Sequence, residues 1–371
     1  MIELLGLEEK SYTLNLGPQH PSTHGVLRVL LEMDGEFITK AEPVIGYGHR
    51  AHEHMAENRN YLQFLPNMGR VDYLHALAFN QGYCMAVEKL MGIVVPERGE
   101  FIRVITSELN RISSHLLWLG AYLLDLGAFT PILYCFDDRE NLLDLLDRIT
   151  GSRLTYCFFR PGGAPADLDE EFITGTRAFI KRLRSRFPDY DNLVTKNVIF
   201  INRTRDVGVI TQDQCLKYGL TGPMVRGSGI PYDIRRCEPY SAYPLFDFEI
   251  PIGDKGDIMD RYLVRVREME QSLRIIEQAL DKLPDGPIMA EKVPKRIKPA
   301  EGEVYQAVET ARGEFGCYIV SKGDIKPYRI KLRVPSFGNL SILPEIAVDT
   351  LVADLVAILG SVDVVVPEID R

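Results

Sequence analysis

The side chains with most scope for chemistry lie near the start of the chain. Leu14 to Arg28 reads LNLGPQHPSTHGVLR and sets two imidazoles, His20 and His24, four residues apart between Gly17-Pro18 and Gly25. Proline and glycine at those places argue against a helix. Two short strands, Tyr12–Leu16 and Val26–Met33, joined by a tight polar loop, are expected instead. Loops held by a rigid scaffold are where binding and proton chemistry concentrate. The plainer alternative is an N-terminal hairpin with surface histidines. All seven histidines (His20, His24, His49, His52, His54, His75 and His115) fall within the first 115 residues, and three of them within His49–His54. His49 and His52, at i and i+3, could share a helical face. Histidine is the commonest metal ligand, but no H-E-x-x-H or paired-thiolate pattern is present, so no metal site is expected. The other chemistry is proton delivery, since imidazole titrates near pH 6.5.

A phenol can also donate to an anion, and Tyr73 stands in Arg70-Val71-Asp72-Tyr73-Leu74-His75, which opens an expected helix. Asp72 there reads as a cap or first-turn acid, and a lone tyrosine is more often core. Asp125 interrupts Leu123, Leu124 and Leu126 on an apolar helix end. A buried carboxylate needs a partner, and a histidine would serve. No G-x-G-x-x-G, Walker loop or G-x-S-x-G occurs, so nucleotide binding and serine chemistry have no support.

The elements that must position these groups follow from periodicity. Asp34-Gly35 is a turn between Val26–Met33 and a third strand, Phe37–Val44. Helices are expected from about His49, and over Val71–Met91, Glu97–Leu126, Asp137–Ile149, Asp167–Arg186, Gln212–Tyr218, Asp257–Leu283 and Ala347–Leu359. Val207–Thr211, Val304–Val308, Phe315–Val320 and Tyr328–Val334 read as strands, and Gly219–Pro251 as an irregular segment. The expected class is α+β, mainly α: a long-helix bundle with N-terminal antiparallel β hairpins and a C-terminal β segment. It divides into an N-terminal β region (1–45), a helical bundle (46–283), a linker (284–299) and a C-terminal β segment, helix and tail (300–371).

Composition narrows the function. The 371 residues carry a net charge of −9, with 46% hydrophobic and 26% charged residues. That excludes a basic footprint for nucleic acid or anionic lipid. The six cysteines (84, 135, 157, 215, 237 and 317) form no C-x-x-C pair, which fits a reducing compartment and argues against a cysteine-built metal site. No secretory leader is expected in Met1–Lys10, and no apolar run reaches the roughly 18 residues of a membrane span. Attachment to a membrane would therefore need another chain.

LNLGPQHPSTHGVLR, together with NRNYLQFLPNMGRVDYLHALAFN, SELNRISSHLLWLG, LLDLGAFTP, GLTGPMVRGSG, RYLVRVREMEQSLRIIEQAL and PSFGNL, resembles the 49 kDa (D-type) subunit family of proton-pumping NADH–quinone oxidoreductase, respiratory complex I. The likeness runs from about Leu14 to Arg371. It implies a fold related to the large subunit of nickel–iron hydrogenases, whose metal is held by two C-x-x-C pairs. Those pairs would fall at Asp72 and His75 and at Val365 and Glu368, so no thiolates remain and no hydrogenase centre is expected. The resemblance further implies that His24 and Tyr73 hydrogen-bond the two quinone carbonyls, that Asp125 partners His24, and that Arg70 lies beside the terminal 4Fe-4S cluster. That cluster would be held by a neighbouring B-like subunit and not by this chain. C-like and I-like peripheral-arm subunits and an H-like membrane subunit are the other implied partners. The implied location is peripheral, on the cytoplasmic side of the cell membrane. Relatives take electrons from NADH through further subunits, or from ferredoxin or a deazaflavin.

Some positions depart from the family pattern. IGYGHRAHEHM has Gly48, Ala51 and His54 where leucine, glycine and lysine are common, and SVDVVVPEIDR has Val364, Val366 and Pro367 where proline, methionine and glycine are frequent. Thr155 follows Thr150-Gly151-Ser152-Arg153-Leu154 where many relatives carry a histidine near the cluster. Without that imidazole the cluster potential should depend less on pH, and a low-potential quinone such as menaquinone is expected. Two rival readings are a soluble metallohydrolase using His49, His52, His54 and Glu53, and a non-catalytic scaffold with the same fold.

Overall fold

A computed structural model describes residues 12–19 and 25–371 of the chain, so His20 and His24 lie outside the described residues. Its class is the expected one: mainly helical, with two three-stranded antiparallel sheets. The first sheet is β1 (Tyr12–Leu16), β2 (Arg28–Asp34) and β3 (Phe37–Val44), with Leu16 opposite Val29 and Asp34 opposite Phe37. β2 buries Val29, Leu31 and Met33 and turns Glu32 outward, the alternation of a sheet with one face on a core.

Short helices α1 (His52–Asn58), α2 (Tyr61–Phe64) and α3 (Met68–Val71) lead into α4 (Ala76–Met91). The helix expected over Val71–Met91 thus starts at Ala76. Asp72 is extended (φ −119°, ψ 106°), and its Oδ1 accepts the N–H of Leu74 at 2.9 Å and of His75 at 3.1 Å. The carboxylate satisfies a bend in the backbone instead of capping a first turn.

The central element is α5 (Glu97–Asp125), flanked by α4, by α6 (Thr130–Thr150) and, further along the chain, by α12. α6 begins at Thr130, not Asp137, because Pro131 sits in its first turn, where a missing N–H costs nothing. Then come α7 (Glu170–Tyr190), α8 (Val198–Thr204), α9 (Gln212–Tyr218), α10 (Pro223–Gly227), α11 (Ile234–Cys237) and α12 (Ile258–Asp281). α8, capped by Asn197, is an addition to the expected helices. Val207–Thr211 forms no strand. It is tied to the entry of α12 by Ile210 N–H to Gly256 O (3.0 Å) and Ile258 N–H to Val207 O (3.2 Å).

The second sheet is β4 (Glu301–Glu309), β5 (Glu314–Lys322) and β6 (Arg329–Arg333). It packs on α4, where Phe79 stacks on Phe315 with centroids 4.0 Å apart. Helices α13 (Pro335–Leu340), α14 (Leu343–Ile346), α15 (Val352–Val362) and α16 (Val366–Asp370) complete the chain, so the last long helix starts at Val352 and not at Ala347. This tail returns to the first sheet. Ile38 N–H donates to Thr350 O (2.9 Å), and the Asp370 carboxylate accepts the N–H groups of Gly46 (2.7 Å) and Gly48 (2.6 Å). No helix among the described residues is long and apolar enough to cross a membrane.

The surroundings of α5 explain how it can be buried on almost every side while carrying polar residues. Glu108, Arg111, Asn110, Ser114 and His115 are all fully or almost fully buried, because α12, the 219–251 segment and β4 cover the face opposite its apolar stripe. Glu108 accepts from Arg111, Arg235, Tyr243 and Ser272, and these donors outweigh its burial and hold it near 2. Such a network is tolerable only when every member is paired.

Candidate functional site

The bend between α3 and α4 carries two of the expected site residues. Gly69 lies so close to the 155–156 backbone that a Cβ on it would sit 2.5 Å from Tyr156 O. Glycine is therefore required there by close approach. Arg70, beside it, is exposed and donates from Nη1 to Pro66 O at 2.6 Å. The same contact brings Thr155, in the left-handed region at φ 51°, next to the Gly69–Arg70 peptide. Tyr73 is half-buried. No described group hydrogen-bonds its hydroxyl, and burial raises its pKa, so it stays a protonated donor at neutral pH.

The bend is locked from three directions. Fully buried Arg312, in the β4–β5 turn, donates to Asp72 Oδ2 at 2.9 Å and to Ser114 Oγ of α5 at 3.1 Å. Asn110 of α5 donates to Leu74 O at 2.9 Å and accepts from Leu77 N–H at 3.1 Å. His75 accepts the Ala311 N–H on Nδ1 at 2.8 Å, so its proton is on Nε2, which donates to Ser107 O at 3.0 Å. Burial pushes the pKa of this imidazole well below the ordinary value. It is a neutral structural histidine.

The C-terminal helix α16 packs against this bend. Glu368, fully buried, accepts the Ser336 N–H at 2.8 Å and lies 2.8 Å from the Ser336 hydroxyl. Two residues earlier, Val366 meets the chain just ahead of β2, where a Cβ on Gly25 would be 2.8 Å from its Cγ2. The residue after His24 therefore stands against the helix that packs on the Tyr73 bend. Asp125 ends α5 and is half-buried, more accessible than its apolar neighbours imply. It lies eleven residues beyond Ser114 on the same helix, about 16 Å along the axis at 1.5 Å per residue. Arg70 and Tyr73 are thus brought onto one bend, and Asp125 stands at the far end of the helix behind it.

Known proteins share these segments over almost the whole chain. A family model described as respiratory-chain NADH dehydrogenase, 49 Kd subunit, matches residues 125–301 and 291–371. The D-type subunit of NADH-quinone oxidoreductase from Syntrophobacter fumaroxidans is 64% identical over 368 residues, which cover 99% of this chain and 99% of that protein. This chain belongs to the 49 kDa subunit family. Further relatives of the same name include that of Desulfotalea psychrophila, 58% identical over 98% of both chains. That of Desulforamulus reducens is 48% identical over 98% of this chain and 98% of itself.

In this member of the 49 kDa family the rival metal set does not converge. His52 is turned into the core, and neither of its ring nitrogens finds a partner among the described residues. His54 is exposed on the other side of α1, 3.6 Å from Glu57. Glu53 is taken by Arg329 (3.2 Å), Lys331 (3.2 Å) and the Leu332 N–H (3.0 Å), and His49 Nδ1 contacts Asp370 O at 2.6 Å. Among the described residues no three His, Cys, Asp or Glu side chains are placed to hold a metal. Sequence reasoning misses Arg312 and Asp363, which with Asp72 form the ion pairs behind the Tyr73 bend, and Ser336, which holds Glu368. They lie in the β4–β5 turn, the end of α15 and the start of α13, far from Tyr73 in sequence. The motif PSFGNL contains Ser336 and is the one available signal.

The buried histidines give the family member a pH dependence of stability. His115 contacts Glu268 at 3.0 Å, yet burial and the nearby Arg265 and Arg111 push its pKa down to about 4. His52 is pushed to about 4 by burial and by Arg50. An unfolded chain protonates these rings near pH 6.5 while the native one refuses. Stability is therefore complete above about 6.5 and is lost as pH falls toward 4, by about 3 kcal/mol for fully buried His115. Unfolding of the subunit followed between about pH 7 and 4.5 should show uptake of more than one proton. A midpoint independent of pH would contradict these buried neutral states.

Proposed function

We propose that this chain forms the quinone-reducing site of a proton-translocating NADH:quinone oxidoreductase, or of the same complex fed by another donor, and is active only within it. The observation that carries this reading is Tyr73: a protonated phenol without a protein partner among the described residues, presented on a bend locked by Asp72 and Arg312. Reducing a quinone to a quinol takes two electrons and two protons. The Tyr73 hydroxyl gives one proton to one carbonyl oxygen, and His24 gives the other to the opposite oxygen. Asp125 partners the His24 ring and favours its charged form, as a carboxylate orients a catalytic histidine elsewhere.

The electrons come from a 4Fe-4S cluster in a neighbouring B-like subunit, with Arg70 beside it. This chain is unsuited to hold such a cluster. Cys84, Cys135, Cys215 and Cys317 are buried at separate places, and burial raises their thiol pKa values, that of Cys135 to about 12. Metal-ligating thiolates need the opposite shift. C-like and I-like peripheral subunits and an H-like membrane subunit complete the assembly, and the chain is peripheral on the cytoplasmic side of the cell membrane. Coupling of the reduction to pumping in the membrane subunits belongs to the same proposal.

Thr155 tunes this site. It packs beside Gly69–Arg70 and has no ring to bind a proton when the cluster is reduced. The cluster potential is then nearly independent of pH, which suits a low-potential quinone such as menaquinone. Thr155→His should introduce a slope toward one proton per electron in a redox titration; such a slope in the unaltered complex would contradict this reading. The assembly itself is tested by tagging the chain and extracting membranes in mild detergent. Recovery of a small iron–sulfur subunit with hydrophobic membrane subunits is expected. Recovery of the chain alone, carrying zinc, would overturn the proposed function.

A further inference from the structure

Among the described residues eight arginines are buried, and seven of them are met inside the chain. Arg103, Arg111, Arg226, Arg235, Arg265 and Arg312 have carboxylates within 4.0 Å, and Arg261 donates to the Gly208 and Gly256 carbonyls. Arg139 of α6 is the exception. It is 9% exposed, its Nε is sealed from solvent, and no described group forms a hydrogen bond or ion pair with it. The four acids nearest to it along α6 are engaged elsewhere. Asp137 and Asp138 pair with Arg182 and Arg186 of α7, and Glu140 and Asp144 pair with Arg153 at 2.6 and 2.5 Å. Burial, with Arg153 nearby, holds the Arg139 pKa below the ordinary arginine value, whereas at Arg103, Arg226 and Arg312 burial is outweighed by paired carboxylates and the pKa rises. A buried charge left in this state is costly until a partner pairs with it.

What surrounds Arg139 has the composition of an interface centre. The Phe136 ring, one turn back on α6, lies 5.9 Å from the guanidinium. Phe136, Leu133 and Phe129 are exposed, and at spacings of three and four residues they fall on one face of the start of α6. Exposed Leu154 follows Arg153, whose two ion pairs tie that segment to α6. The centres of protein–protein interfaces are enriched in arginine and aromatic residues, and a few such anchors carry most of the affinity.

We propose that Arg139 is a docking residue: an aspartate or glutamate of the neighbouring iron–sulfur subunit enters beside it and forms a forked ion pair, while Leu133 and Phe136 pack against apolar surface of that subunit around the pair. The incoming carboxylate meets a charge that this chain leaves unmet. The pair forms only on assembly, so it fixes the register of the two subunits and rejects a partner that lacks the acid.

The choice of partner follows from the chain that joins Arg139 to the Tyr73 bend. Tyr156 is one of the groups whose charge acts on Arg139. The 155–156 backbone lies against Gly69, next to Arg70, where the proposed function places the cluster. The surface around Arg139 therefore continues into the side of the chain that faces the cluster-bearing subunit. A carboxylate suits the place better than an anionic lipid surface. One guanidinium among neighbouring acids offers a single charge, which one carboxylate matches, and the chain as a whole carries −9.

This inference rests on the proposed assembly with an iron–sulfur subunit, and the experiment separates the two. In the complete membrane complex, p-benzoylphenylalanine in place of Leu133 is photocrosslinked and the joined peptides are mapped. The expected adduct is to a peptide of the iron–sulfur subunit that contains aspartate or glutamate. Arg139→Met should speed loss of that subunit from the detergent-extracted complex about thirtyfold, and Arg139→Lys by less. Arg139→Glu combined with arginine at the mapped acid should regain the retention that Arg139→Glu alone loses. The full chain by itself should melt no lower with Arg139→Met, since an unpaired buried charge is removed; a purely structural arginine would lower the melting temperature. With the complex intact, adducts absent or confined to other subunits, or unchanged retention in Arg139→Met, would overturn the docking inference and leave the proposed function standing. If the unaltered chain recovers no iron–sulfur subunit, the proposed function fails and this inference with it. Should the Arg139 variants not assemble, the adduct from position 133 with Arg139 in place decides.

Discussion

Replacing Arg312 with leucine should destabilise this subunit by about 3–5 kcal/mol, the cost of leaving buried charge without its partner. The guanidinium is fully buried and joins three parts of the chain that are distant in sequence: Asp72 on the bend, Ser114 in the middle of α5, and Asp363 after α15. The nearby carboxylates push its own pKa above the ordinary arginine range, a sign that the attraction outweighs desolvation. Without it, Asp72 would keep its bonds to the Leu74 and His75 N–H groups but lose its counter-charge, and the bend that presents Tyr73 would lose its anchor. Lysine should recover only part of the loss, because one ammonium cannot reach both Asp72 and Ser114 as a fork does. The double variant Arg312→Leu/Asp72→Asn should be less damaged than the sum of the two single ones, since neutralising the partner removes part of the uncompensated charge. Melting temperature and abundance of the assembled complex are the readouts, and an unchanged melting temperature for Arg312→Leu would contradict this ionic lock.

Tyr73→Phe should do the reverse, leaving stability within about 0.5 kcal/mol and lowering quinone reduction about a hundredfold. The substitution deletes one oxygen that no described group hydrogen-bonds, so the packing of the half-buried ring is preserved. Loss of a positioned proton donor typically costs 10²–10⁴ in rate. On the proposed function, electron delivery to the neighbouring subunit's cluster should be untouched, so the cluster should reduce at the normal rate and wait. A tyrosine that served only as core would instead show a stability loss and a small kinetic effect.

The legible parts of this fold are those set by local chemistry. Tyr12–Leu16 and Phe37–Val44 are strands and Gln212–Tyr218 is a helix, as their sequences imply, because turn residues and a Thr211–Gln214 capping box mark their ends. The opening of α4 is not legible. Its apolar period continues back through Val71, while the Asp72 side chain and a residue 240 positions away dictate an extended backbone. α6 is longer than its periodicity suggests because Pro131, which can stop a helix, here occupies a first turn. Family motifs point to His24, Tyr73, Arg70 and Asp125 as the proposed site residues. They do not point to Arg312 or Asp363, because a buried ion cluster assembled from four separate segments has no spacing to betray it. The polar side of α5 is hidden for the same reason: Glu108 and Arg111 look like a solvated face until the 219–251 segment covers them.

Quinone reduction against the Tyr73 bend of this chain is tested most directly by photolabelling the intact membrane complex with an azido-quinone, followed by peptide mapping with and without excess native quinone. The predicted result is label on residues 66–75 or on residues 17–27, displaced by native quinone. Label confined to other subunits, with none displaced from this chain, would contradict a quinone site here.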